Sequence, residues 1–201
     1  MNIAVFASGR GTNFSAVARA VKKGKIKAAL SLLVCDNPAA GAISRARRAG
    51  VKVALVNRKD FASSKDFEAK IIQHLREEKI DLIVLAGFMR ILGPDLINEF
   101  KGRILNIHPA LLPSFKGAHA IRCAFEYGVK VTGVTVHFVD EQMDHGPIIL
   151  QEAVSIKEAD TQESLEARIH KIEHKLYPQA IKLFVEGKLK TEARRVRIST
   201  Q

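Results

Sequence analysis

Between Ile3 and Ile107 the chain alternates short apolar runs with segments of helical spacing, and few folds accept that order. The runs are residues 3–8, 28–35, 52–56, 81–86 and 104–107, each of a length suited to a buried strand. Between them a helix begins near Thr12, a second covers residues 39–49 and stops at Gly50, and Phe67, Ile71, Ile72 and Leu75 recur at helical spacing. Consecutive parallel strands need a crossover, usually a helix. The alternation therefore predicts an α/β chain with an open, mostly parallel Rossmann-like sheet and helices on both faces. Further along, a helix over about 118–127, strands over 129–139 and 148–156, and a long amphipathic helix over 161–185 bring the expectation to about seven strands. On the strand over 129–139, Val134, Val136 and Phe138 share one face and Thr135, His137 and Val139 the other.

With 201 residues, 47% of them hydrophobic, the chain has the material for one domain with one sizeable core. Within it we distinguish residues 1–100, residues 101–185 and a basic tail over 186–201 that reads as polar and frayed. No apolar run approaches a membrane span, and the first eight residues lack the basic start of a signal peptide. Two cysteines, Cys35 and Cys123, give neither a disulfide framework nor a C-x-x-C pair, which points to a reduced, cytoplasmic setting. The net charge of +11 raises the question of nucleic acid, but the chain has no Trp, two Tyr and no recognised nucleic-acid motif. A solvated basic surface, or attraction of small anions, accounts for it better, and neither nucleic acid nor a membrane is expected as a partner.

Three segments can carry chemistry. In Ile104-Leu-Asn-Ile-His-Pro, Asn106 and His108 lie two apart on a strand, hence on one side of it, and Pro109 stops the ladder. An amide donor beside a titratable ring suits a carbonyl that becomes an oxyanion while a proton moves. The same pair can also simply close a strand end. Ser8-Gly-Arg-Gly-Thr-Asn13 offers glycines and a helix start, an arrangement for an anion. Its sixth fingerprint position is Phe14 rather than Gly, and Asp36 is only a candidate acidic residue, so a phosphate monoester fits better than a dinucleotide. A turn that merely joins strand to helix fits as well. Asp140, Glu141 and Asp144 lie in a loop closed by Gly146-Pro147, where a carboxylate can orient His108 or be solvated. His108, His137 and Asp144 lack compact metal-ligand spacing, and no metal is expected. After the fourth strand, Met89, Arg90, Ile91 and Leu92 can clamp a flat ring or start the next helix's packing.

Taken together, Ala7–Asn13, Leu85–Leu92, Asn106–Gly117, Val134–Val139 with Asp144-x-Gly-Pro147, and Glu173-His-x-x-Tyr-Pro178 closely resemble the phosphoribosylglycinamide formyltransferases, the folate-dependent transformylases of purine synthesis. The resemblance covers nearly the whole length. It implies the formyltransferase fold, with 1–100 as a nucleotide-binding half and 101–185 as a catalytic and folate-binding half. It implies transfer of the formyl group of 10-formyltetrahydrofolate, a co-substrate, to the amine of 5-phosphoribosylglycinamide through a tetrahedral intermediate; the sequence leaves monomer and homodimer both open. Asn106 and His108 are then implied to stabilise the oxyanion, with Asp144 supporting a charged His108 and holding a water. Gly11, Thr12 and Asn13 are implied to take the ribonucleotide phosphate, with Glu173 on the same substrate. Met89, Arg90, Ile91, Leu92, Asn106 and Asp140 are implied to take the folate, and Leu112-Pro113 to be a cis peptide.

Two positions depart from the family's pattern. Ser64 stands where a basic side chain often contacts the folate tail, with Lys65 as the adjacent substitute, and His145 stands where smaller residues are common. A 10-formyltetrahydrofolate hydrolase is the alternative enzyme. A methionyl-tRNA formyltransferase normally carries a further barrel for which this chain has no room, and a non-catalytic binding module would not need all of Asn106, His108 and Asp144.

Overall fold

The computed structural model describes residues 1–199 and divides into two compact units, Met1–Leu105 and the chain from Asn106 onward. In the first unit, β1 (Asn2–Phe6), β2 (Ala29–Cys35), β3 (Lys52–Leu55) and β4 (Leu82–Leu85) lie in the order β3-β2-β1-β4, and all their pairings are parallel. Ile3, Ala4, Val5 and Phe6 are fully buried, as expected of a parallel strand covered on both faces. The connecting helices are α1 (Thr12–Lys22), α2 (Gly41–Arg48), α3 (Ser64–Glu77) and α4 (Pro94–Glu99). Ser63 caps α3 by accepting from Asp66 N, whereas no side chain caps α1. Pro94 opens α4, a helix too short for its periodicity to show in the sequence.

Gly11 precedes α1 with φ +73, in the left-handed region. A Cβ there would lie 2.6 Å from Ala42 Cα and 2.8 Å from Ala42 Cβ, so the glycine also lets α1 and α2 approach closely.

β5 (Ile104–His108) runs across the boundary into the second unit, whose strand order is β5-β6-β7-β9-β8. β6 (Val131–Phe138) and β7 (Ile148–Ser155) form an antiparallel pair with Thr135 opposite Gln151, and the register shifts between Val136 and His137. Both faces of β6 are covered: Thr135 and His137 are as buried as Val134 and Val136. α5 (Ala120–Tyr127) and α6 (Gln162–Val185) complete the unit, with α6 opened by a reciprocal Thr161–Ser164 cap and buried along Leu165, Ile169, Leu176, Tyr177 and Ile181.

The described residues hold nine strands rather than about seven, and the parallel arrangement is not uniform, since β6–β7 and β8–β9 are antiparallel. The extra strands are β8 (Leu189–Glu192) and β9 (Arg195–Ile198), in the segment expected to be frayed. β9 joins β7 at Ile148, and Arg197 pairs with Glu192 across the hairpin at 3.0 Å. Most of this hairpin is exposed, with the Glu192–Arg197 pair crossing it, so it has no apolar run for the sequence to display. Among the described residues no helix is long and apolar enough to cross a membrane.

The α1–α2 approach predicts that Gly11→Ala destabilises the protein by about 1–3 kcal/mol in urea denaturation, through overpacking. Adding Ala42→Gly should recover part of the loss. Equal stability of Gly11→Ala and the unmodified protein would show that the contact does not matter.

Candidate active site

Asn106 and His108 project to the same side of β5, and one carboxylate receives both. Asp144 Oδ1 lies 3.4 Å from Asn106 Nδ2, and Asp144 Oδ2 lies 3.4 Å from His108 Nδ1. The Asp144 side chain is only 10% exposed, so its charge needs strong partners. The shortest is the backbone N–H of Gly117, which donates to Oδ2 at 2.7 Å. Burial pulls the Asp144 carboxyl upward, but contacts with His137 and the Gly117 N–H outweigh it and lower it to about 2. His137 Nε2 stands 3.7 Å from Oδ1, too far for a hydrogen bond, so the Gly117 N–H carries most of that effect.

Hydrogen-bond partners assign the histidine tautomers. His137 Nδ1 lies 2.7 Å from the Phe138 carbonyl and must donate to it. Nε2 of the neutral ring then accepts from Asn106 Nδ2 at 3.2 Å. That bond orients the Asn106 amide and leaves its second proton only the long contact to Asp144. His108 Nε2 donates to the Phe115 carbonyl at 2.7 Å, so a proton arrives or leaves at Nδ1, facing Asp144. Burial pushes the His108 pKa below its ordinary value, against the upward pull of the Asp144 charge and the Phe115 carbonyl.

The loop that supplies Phe115 and Gly117 is fastened at its start. Thr135 Oγ1 donates to Ala110 O at 2.7 Å and accepts from Leu112 N at 3.1 Å. Gln151, opposite Thr135 across the β6–β7 pair, donates to Thr135 Oγ1 at 2.9 Å and to Leu112 O at 3.0 Å. The Leu112–Pro113 peptide is cis, as the resemblance implied. The sequence did not single out Thr135, Gln151, Phe115 or Gly117 for the site. The last two act through backbone groups that leave no side-chain signal.

Two further predicted residues lie in the second unit. Asp140 Oδ1 accepts from Gln142 N at 3.0 Å, and Oδ2 accepts from His145 Nδ1 at 2.8 Å. Glu173 on α6 is buried, with Oε2 2.8 Å from His170 Nδ1; hydrogen bonding to Glu173 raises the His170 pKa above its ordinary value.

In the first unit, Thr12 and Asn13 open α1 directly after Gly11. Met89 and Ile91 are 70% and 84% exposed, so core packing does not explain them, whereas Leu92 is buried. Their loop is held at three points. Met89 N donates to Ser8 Oγ at 2.9 Å, Arg90 Nε pairs with the buried Asp36 at 2.8 Å, and Gly93 N donates to the buried Glu68. Arg90 is thus anchored rather than a free surface charge, and Asp36 is its counter-ion. Ser64 Oγ accepts from Arg58 Nη2 at 3.3 Å, which brings a guanidinium to the position where the resembled family often has a basic residue. Among the described residues no cluster of His, Cys, Asp and Glu is arranged to hold a metal ion.

The family described as formyl transferase matches residues 1–181. A phosphoribosylglycinamide formyltransferase of Bacillus subtilis (strain 168) is 49% identical over 179 residues, 89% of this chain and 92% of that one. The crystal structure of glycinamide ribonucleotide transformylase 1 from Symbiobacterium toebii superposes with a TM-score of 0.96 at 45% identity, covering 98% of this chain and 93% of that one. A formyltetrahydrofolate deformylase from Pseudomonas syringae shares the fold at 22% identity with a TM-score of 0.91, covering 98% of this chain and 65% of that one.

The geometry predicts the direction of two titrations. Asp144→Asn removes a charge that pulls the His108 pKa up, so NMR should find that pKa lower in the variant; an unchanged or higher value would mean the pair is not coupled. Asp144 itself is depressed in the folded state, from 3.8 to about 2. Its contribution to stability is therefore present above the unfolded value and lost as pH falls through that interval. Asp144→Asn should remove this part of the acid-induced loss of stability in pH-dependent urea melts.

Proposed function

The chain belongs to the formyl transferase family, and on that ground we propose that it is a phosphoribosylglycinamide formyltransferase. It transfers the formyl group of 10-formyltetrahydrofolate to the amine of 5-phosphoribosylglycinamide, a step of purine synthesis. The observation that carries the reading is that one largely enclosed carboxylate, Asp144, lies within reach of both Asn106 and His108.

In this reading the neutral amine attacks the formyl carbon, and the carbonyl oxygen becomes an oxyanion. Asn106 supplies the amide proton that His137 does not occupy, and His108 supplies a second donor when it is protonated at Nδ1. Asp144 stabilises that imidazolium and holds the water that passes the amine's proton to N10 of the folate as the tetrahedral intermediate collapses. No covalent nucleophile is required, because positioning and oxyanion stabilisation suffice. The ribonucleotide phosphate is assigned to the backbone N–H groups of Gly11, Thr12 and Asn13, at a helix start that no side chain caps. Glu173 is assigned to the same substrate. Met89, Arg90, Ile91, Leu92 and Asp140 are assigned to the folate, and Arg58 takes the place of the basic tail contact beside Ser64. We further propose residues 1–100 as the nucleotide-binding half and 101–185 as the catalytic half of a cytoplasmic enzyme, a monomer or homodimer.

Purified protein should form N-formylated ribonucleotide from 10-formyltetrahydrofolate and the glycinamide ribonucleotide, and leave methionyl-tRNA unmodified. Release of formate at the same rate without an acceptor would instead identify a hydrolase. Asn106→Ala and His108→Ala should each lower turnover by roughly 100-fold or more with folding intact. Turnover of folded His108→Ala within about threefold of the unmodified protein would overturn the assignment.

A further inference from the structure

The loop between β6 and β7 delivers Asp144 in a strained conformation. Asp144 has φ +49, in the left-handed region that non-glycine residues enter at a cost. The neck of the loop is closed by Phe138 N donating to Pro147 O at 2.9 Å. Gly146 is packed there so tightly that a Cβ would overlap the Phe138 carbonyl oxygen. Inside the loop, the His145 ring is a strut: its Nδ1 donates to Asp140 Oδ2 at 2.8 Å, tying the two arms together.

The strut is held from outside by the C-terminal hairpin. Arg194 Nη2 donates to the His145 carbonyl at 2.7 Å. Its Nη1 lies 3.0 Å from His145 Nε2 and 3.4 Å from Nδ1, near enough to both ring nitrogens that the guanidinium must cover the ring. Arg194 follows Ala193, which has φ +52 at the hairpin turn, and the next residue, Arg195, pairs with Ile148 at the start of β7. The hairpin is thus fastened to the strand into which the loop leads.

We infer that Arg194 is a positioning residue for Asp144, acting through His145 from the C-terminal hairpin. This rests on the role proposed above for Asp144. Without the guanidinium, the His145 carbonyl turns back to solvent and the Asp140 contact alone holds the ring. The peptide that follows Asp144 is then free to rotate, and the carboxylate leaves the Gly117 N–H. An exposed hydrogen bond contributes little by itself. Here the contact biases the backbone conformation that places the carboxylate, so a modest loss of interaction reads out as a loss of competent enzyme. An ammonium cannot hold a carbonyl and cover a ring together, so lysine is not equivalent.

The test uses the full-length chain with Arg194→Gln, Arg194→Lys, His145→Gly and the Arg194→Gln/His145→Gly double variant, each checked for an unchanged melting temperature. Arg194→Gln should lower kcat about three- to tenfold and leave the KM for the ribonucleotide within about twofold, with Arg194→Lys similarly impaired. Hydrogen exchange at residues 144–146 should accelerate while the β8–β9 amides stay protected. In the His145→Gly background, which loses the ring contacts and the Asp140 tie but keeps the carbonyl contact, Arg194→Gln should cost less than in the unmodified protein. A kcat for Arg194→Gln within about 1.5-fold of the unmodified enzyme, or the same fold-loss in both backgrounds, would overturn the inference. Asp144→Asn measured alongside separates the two levels of the claim. If it keeps full turnover, the reading of Asp144 fails; if it is inactive while Arg194→Gln is not, only the role of Arg194 fails.

Discussion

The loops of the second unit meet at one enclosed carboxylate, Asp144. A carboxylate as enclosed as Asp144 is costly unless donors meet it, and the shortest such bond among the described residues comes from the Gly117 N–H. That bond ties the loop after β5 to the loop after β6. Each loop has its own anchor: Thr135 and Gln151 hold Ala110 and Leu112 on one side, and the β6–β7 neck closes the other. Asn106 and His108 come from strand β5 itself, whose geometry leaves little freedom. The rigid elements thus supply the donors, and the loops supply the acceptor that sets the charge.

His108 illustrates why such a site needs both elements. Burial alone makes the ring a weak base, and the nearby carboxylate works against burial. The Phe115 carbonyl occupies one ring nitrogen and limits proton traffic to the other. A ring under opposed influences changes protonation state with a small change in its surroundings, which suits proton transfer better than a ring strongly biased either way. His137, two residues beyond Thr135 on β6, has a different task. Its Nδ1 proton is committed to the Phe138 carbonyl, so it serves as an acceptor that turns the Asn106 amide.

The sequence conveyed the first unit well because its strands are covered on both faces and their apolar runs are unbroken. It conveyed Asn106 and His108 through the period-two spacing, and Asp144 only with the help of family resemblance, because a loop residue has no periodicity to place it. What escaped has a common cause. The Gly117 N–H and the Phe115 carbonyl are backbone groups, and Gln151 matters only through its register opposite Thr135. The hairpin β8–β9 lacks an apolar run, so it read as a frayed tail. Gly11 was legible but ambiguous: the same glycine fits an anion site and is required where α1 meets Ala42. Loss of ribonucleotide binding on enlarging it would therefore not by itself locate the phosphate.

The segment after β4 exposes Met89 and Ile91, yet it is pinned by Ser8, Asp36 and Glu68. Exposed apolar side chains on a mobile loop would lose conformational entropy on meeting a ligand, whereas on a pinned loop most of that loss has been incurred in folding. Asp36 and Glu68 are both buried carboxylates, which are seldom kept in a core without partners. Here each is matched to a group of the same loop, a guanidinium in one case and a backbone N–H in the other. The physical role of these two acids is thus to hold a surface loop in shape, as Gly117 and Arg194 hold loops of the second unit. In each unit, then, groups without an exposed apolar or titrating side chain of their own fix where their loop's side chains stand.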